Sequence, residues 1–152
     1  MEMEELLRRA AQARQNAYAP YSHFQVGAAL LTGEGRVYSG CNVESASFSP
    51  TCCAERVALF SAVARGERDF AAIAIVGGPE GEAPSAYVPP CGVCRQALAE
   101  FCDLGRFQVI LGGGPSLPPR VYSLGELLPL AFTPGTMGRK EEKEEPPCGC
   151  TT

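Results

Sequence analysis

Apolar positions first recur at helical spacing. Leu6, Leu7, Ala10, Ala13 and Ala17, with Arg14 on the same face, predict a helix from about Glu4 to Ala17. Pro20 ends it, and Tyr21-Ser22 continue the turn. The period then changes to two: Val26, Ala28 and Leu30 predict a strand over Phe24 to Leu31. Thr32-Gly33-Glu34-Gly35 reads as a tight turn, and Arg36 to Cys41 returns as a second strand. This pair forms a β-hairpin in which Gly33 or Gly35 takes a positive φ. Asn42 to Pro50 is a polar loop. A helix follows from near Cys52 to about Ala64, stopped by Gly66. Phe70 to Val76 is nearly continuous in apolar residues, as a central strand buried on both faces requires. Gly77 to Pro90 is a Gly- and Pro-rich loop. A helix then starts at Cys91 and covers Gln96 to Cys102. Phe107 to Leu111 is a short strand, Val121 and Tyr122 a last one, and Leu124 to Leu128 a short helix. This order implies an α/β fold with helices over a mixed sheet.

The pattern stops at Gly138. Arg139 to Glu145 holds no apolar residue, and Pro146-Pro147 follow. The chain therefore divides into one domain, residues 1–138, and a charged tail, 139–152, expected to be disordered with Cys148 and Cys150 as exposed thiols. A length of 152 residues, 45% hydrophobic and 20% charged, suits one globular core without disulfide staples. The formal net charge is −4, and no basic stripe is present to neutralise phosphates. A small-molecule substrate is expected rather than nucleic acid. The acidic start, Met1-Glu2-Met3-Glu4-Glu5, differs from a secretory leader, and no apolar run reaches the roughly 20 residues of a membrane helix. The expected location is the cytoplasm, where the eight cysteines stay reduced and serve as metal ligands or small buried side chains.

Chemistry concentrates in three pieces: Cys53-Ala54-Glu55-Arg56, Pro90-Cys91-Gly92-Val93-Cys94-Arg95-Gln96, and Asn42-Val43-Glu44. A C-x-x-C turn brings two sulfurs to one side of a metal, and Cys53 supplies a third from the other helix. Helix N-termini favour thiolate over thiol. Three ligands leave a fourth tetrahedral position open, as in catalytic rather than structural zinc sites. Glu55, two residues past Cys53, is placed to move protons beside the metal. By itself it also reads as a first-turn acid complementing the helix dipole. Arg56 is placed to offset the negative charge of a three-thiolate centre.

These residues match the zinc-deaminase signature in its all-Cys form. From about Leu6 to Phe132 the chain resembles the small, homotetrameric cytidine deaminases. The matching stretches are Tyr18 to Leu30, Gly40-Cys41-Asn42-Val43-Glu44, Cys53 to Arg56, Pro90 to Gln96, and Leu127-Leu128-Pro129 with Phe132. The resemblance implies a three-layer sandwich, with a mixed five-stranded sheet and helices on both faces. It implies one Zn2+ per subunit and hydrolytic deamination of cytidine and 2′-deoxycytidine to uridine and 2′-deoxyuridine, with ammonia released. By the same resemblance zinc-bound hydroxide would attack C4, while Glu55 would move a proton to N3 and then to the leaving amine. In that family's arrangement Asn42 and Glu44 would bind the sugar hydroxyls, Phe24 would pack beside the nucleoside, and Ala46 and Ala54 would be further substrate contacts. The resemblance further implies that Phe132 would stack on the base from a neighbouring subunit.

Two positions depart from the family pattern: Ser45, where Asn is usual, and Phe48, where Tyr is usual. Both touch substrate binding rather than metal chemistry. The bland readings make Asn42 a turn cap, Phe24 and Phe132 core residues, His23 a solvated loop residue, and Cys41, Cys52 and Cys102 buried small side chains. Cys52 is also a rival ligand. Three other functions are open: a deaminase of another aminopyrimidine such as blasticidin S, a closed four-sulfur zinc module completed by Cys41 or Cys52, and a thioredoxin-like redox protein using Cys91 and Cys94.

Overall fold

Alternate residues of the central strands point to two different helical layers. The structure, a computed structural model, describes residues 1–138; the expectations for the tail, Cys148 and Cys150 lie outside the described residues. Strands β1 (Phe24–Thr32), β2 (Val37–Cys41), β3 (Phe70–Pro79), β4 (Gln108–Gly112) and β5 (Arg120–Ser123) form one sheet in the order β2-β1-β3-β4-β5. β1 pairs antiparallel with β2 and β3, β3 runs parallel to β4, and β4 is antiparallel to β5. On one face Ala28, Leu30, Ile73, Ile75, Val109 and Leu111 pack beneath helices α2 (Ala54–Ala64) and α3 (Gly92–Phe101). On the other, Ala29, Ala74, Val76 and Ile110 pack beneath α1 (Met3–Arg14) through Leu6 and Ala10. The fold is the expected three-layer α/β sandwich with a mixed five-stranded sheet.

Two glycines let the helices lie close. A Cβ on Gly27 would run into the Ala10 carbonyl under α1, and one on Gly40 into the backbone of Ala54 and Ala58 under α2. Gly40 thus sets how deeply the N-terminal turn of α2 sits on the sheet. In the hairpin turn it is Gly35, at φ 88°, that takes the left-handed conformation.

Some boundaries differ from the sequence reading. α1 ends at Arg14 rather than Ala17, because the N–H groups of Gln15, Asn16 and Ala17 turn back to carbonyls three residues earlier. The buried Arg14 guanidinium then donates to the carbonyls of Gln25, Pro79 and Glu82, tying the helix end to β1 and β3. β3 continues beyond Val76 to Pro79, since Gly77 and Gly78 pair with Val26 and Gln25. Glycine reads as loop in a sequence, but a central position supplies partners on the ladder. After β5 come a short helix α4 (Leu124–Leu127), closed by a Ser123–Glu126 capping box, and a 3₁₀ turn (Pro134–Met137).

Candidate active site

The N-termini of α2 and α3 meet on the same side of the sheet. Cys53 is the N-cap of α2 and Cys91 the N-cap of α3, and neither side chain caps its helix, so both sulfurs are free for another partner. Cys53 Sγ lies 3.8 Å from Cys91 Sγ, and Cys91 Sγ 3.5 Å from Cys94 Sγ. All three sulfurs lie within 4.8 Å of one another. Zn–S bonds of about 2.3 Å at tetrahedral angles place sulfurs about 3.8 Å apart, so this set fits zinc. Cys94 is buried, Cys53 half-buried and Cys91 exposed, which leaves the cluster open on one side. Among the described residues neither Cys41, Cys52 nor His23 joins the group. Three sulfurs with an open side fit a catalytic centre better than a closed structural one.

Two charged side chains border the sulfurs. Glu55, in the first turn of α2, is 4% exposed, and Cys94 Sγ donates to its Oε2 at 3.5 Å. Burial pushes the Glu55 carboxyl above the usual range. Arg56 Nη2 donates to Cys53 Sγ at 3.6 Å, while its buried Nε has no partner among the described residues. The Cys53 thiol is pulled down to about 5, chiefly by the hydrogen bond from Cys94 and further by Arg56. Cys94, which keeps the shared proton, is pushed up.

A second group of polar residues lies beside this one. Val43 bridges to Tyr18 on one side and to Cys52 on the other, so Asn42-Val43-Glu44 is laced to the residue before Cys53. Asn42 Oδ1 accepts from the Val26 N–H at 2.9 Å, and Nδ2 donates to the Phe24 carbonyl at 2.8 Å. Glu44 Oε1 accepts the N–H groups of Tyr21 and Ser22, at 3.0 and 3.1 Å. Its Oε2 accepts the Ser22 hydroxyl at 2.5 Å. The Ser22 bond is the first cause that holds the Glu44 carboxyl below the usual carboxylate range.

The family model described as the cytidine and deoxycytidylate deaminase zinc-binding region matches residues 1–110. The chain belongs to this family. A cytidine deaminase of Halalkalibacterium halodurans is 47% identical over 133 residues, which are 88% of this chain and 96% of that protein. A crystal structure of cytidine deaminase from Burkholderia pseudomallei superposes with a TM-score of 0.78 at 48% identity, covering 87% of this chain and all of that one. A blasticidin-S deaminase of Bacillus cereus is more distant, 33% identical over 71% of this chain and 76% of that protein. Membership in a zinc-binding deaminase family agrees with the sulfur geometry: the chain carries one zinc ion per subunit, and the Cys53, Cys91 and Cys94 cluster is positioned to bind it.

Within the deaminase chain, the other residues singled out in the sequence take varied places. Phe24 is 38% and Phe132 59% exposed, so neither is a core residue. Ala54 is wholly buried at the start of α2, and Ala46 is exposed in the loop after Glu44. His23 is exposed and faces Glu80. Of the three other cysteines among the described residues Cys102 is buried as expected, whereas Cys41 and Cys52 are only half-buried, being on the sheet edge and in the loop before α2. Phe48, at φ 55°, is exposed with its ring edge-on to Tyr21. Arg95 was not singled out. It donates to the carbonyls of Pro90 and Leu127, and Gln96 to that of Phe132. The two residues fasten the C-terminal segment to the helix that carries Cys94. Their polar character alone gave no signal of this, because a carbonyl acceptor leaves no trace in side-chain identity.

Proposed function

We propose that the protein hydrolyses cytidine and 2′-deoxycytidine to uridine and 2′-deoxyuridine, releasing ammonia. One observation carries this reading: two helix N-termini converge to give three sulfurs at zinc spacing with a buried carboxylate against them. A zinc ion held by Cys53, Cys91 and Cys94 supplies Lewis acidity, which lowers the pKa of water from 15.7 toward about 7. Glu55 does the proton work. It receives a proton from the attacking water as the C4–O bond forms, passes it to N3, and later delivers a proton to the departing amine. Its burial and raised pKa suit a group that must hold a proton part of the time. Arg56 balances thiolate charge through Cys53. Asn42 and Glu44 orient the sugar, Phe24 packs beside the nucleoside, and Ala46 and Ala54 complete the contacts.

We further propose that four subunits assemble, each site receiving Phe132 from a neighbour. Exposed Phe132 and Leu130, on a segment fastened by Gln96 and Arg95, support this arrangement. The catalytic unit is residues 1–138. No helix of the described residues is long and apolar enough to cross a membrane, and a cytoplasmic site of action suits three reduced thiols.

The test is an assay of purified protein with cytidine, followed by ultraviolet loss, before and after treatment with a zinc chelator. Uridine formation that stops on chelation and returns with zinc is the expected result. Turnover of blasticidin S in preference to cytidine would move the substrate to another aminopyrimidine. Bound zinc without hydrolysis of either would reduce the site to a structural one.

A further inference from the structure

Glu44 accepts more hydrogen bonds than a free surface carboxylate would. Each carboxylate oxygen offers two lone-pair sites. Oε1 takes the N–H groups of Tyr21 and Ser22, and Oε2 takes the Ser22 hydroxyl. One acceptor position is left, on Oε2. The Ser22 hydroxyl donates to Glu44, since an ionised carboxylate only accepts, and Ser22 Oγ in turn accepts the Phe24 N–H at 3.1 Å. A one-way chain results, from the Phe24 amide through the Ser22 hydroxyl to the carboxylate. On the adjoining residue, Asn42 has used its oxygen on Val26 and one Nδ2 hydrogen on Phe24. Its other Nδ2 hydrogen has no partner among the described residues. The pair therefore presents one acceptor and one donor. That combination suits a single hydroxyl, which donates once and accepts once. Both proposed substrates carry hydroxyls at the 3′ and 5′ carbons, and the 3′ group is the one on the sugar ring that they share.

We infer that Ser22 is a positioning residue for this reaction: through Glu44 it fixes which oxygen meets the sugar, and so tunes selectivity for nucleosides bearing a 3′-hydroxyl. The inference rests on the sugar-binding reading of Glu44. A hydroxyl to an ionised carboxylate is among the stronger hydrogen bonds, and its loss frees Oε2 to turn away. The loop around it is otherwise held by backbone contacts, His23 N–H to the Ala19 carbonyl and Glu80 N–H to the His23 carbonyl, which a change at Ser22 leaves in place.

The experiment compares kcat/KM for cytidine with kcat/KM for 2′,3′-dideoxycytidine, using the full-length enzyme and Ser22→Ala, Ser22→Thr and Glu44→Gln. The ratio is expected to fall about tenfold in Ser22→Ala, mainly through KM for cytidine, and to recover in Ser22→Thr. A general loss of folding lowers both substrates together and leaves the ratio where it was. An unchanged ratio in Ser22→Ala, or an equal fall in the alanine and threonine variants, overturns the role of Ser22. If Glu44→Gln lowers the ratio while Ser22→Ala does not, the Glu44 reading stands and the Ser22 inference falls. If Glu44→Gln also leaves the ratio unchanged, the sugar reading of Glu44 fails, and the inference with it.

Discussion

At the scale of single residues the proposed reaction divides the site into groups that hold and a group that transfers. Cys53, Cys91 and Cys94 are positioned to hold the metal; Glu55, pressed against Cys94 yet unneeded by the sulfur geometry, is the proposed transfer group. Glu55→Gln keeps the shape and removes the basic oxygen. It is expected to retain zinc, by elemental analysis, while kcat falls on the order of 10² to 10⁴. Arg56→Ala leaves the fold but strips the cation that, alone among the described residues, donates to a ligand sulfur. Zinc affinity, measured by competition with a chromophoric chelator, is expected to drop about 10- to 100-fold. The ligand residues were legible in advance because C-x-x-C and Cys-x-Glu are local spacings. The Ser22–Glu44 contact was not, since 22 positions of chain separate the two and no periodicity joins them.

Among elements, the decisive fact is that two helices begin at the same place. α2 is set by Gly40, over which the backbone of Ala54 and Ala58 passes. Gly40→Ala must push that helix off the strand. The expected cost is about 1–3 kcal/mol or more, read from denaturant unfolding, with a weaker zinc site because Cys53 moves with the helix. The sequence made the existence and order of the elements plain. β1 and α1 carry clean periods, and Phe70 to Val76 is apolar enough to be central. The ends were less plain. Gly77 and Gly78 resemble loop until β1 lies beside them, and the end of α1 at Arg14 is tied down by carbonyls of Gln25 in β1, Pro79 in β3 and Glu82 just beyond it, none of which its own sequence signals. Phe132 looks apolar enough for a core, and only its outward placement says otherwise.

For the whole molecule, the two faces of the sheet have separate duties. The α1 face packs Leu6 and Ala10 against the strands and bears none of the sulfurs, whereas the α2 and α3 face carries all three. Because zinc joins two elements of the folded chain, its removal lowers stability by mass action. At free zinc about 100 times the dissociation constant, the folded state gains about 2.7 kcal/mol, so a chelated sample should melt several degrees lower and recover on zinc addition. A melting temperature indifferent to chelator would mean that the metal does not bridge the helices. The strand order adds a matter of connection. Cys53 and Cys91 are 38 residues apart in sequence, and β3, which lies between them in the chain, sits between β1 and β4 in the sheet. In the folded chain the sulfurs are brought together by β3, which carries the chain from α2 to the start of α3. A three-sulfur grip on one ion is thus a signature of the native sheet: a chain in which β3 is misplaced can offer the Cys91–Cys94 pair but not Cys53 with it.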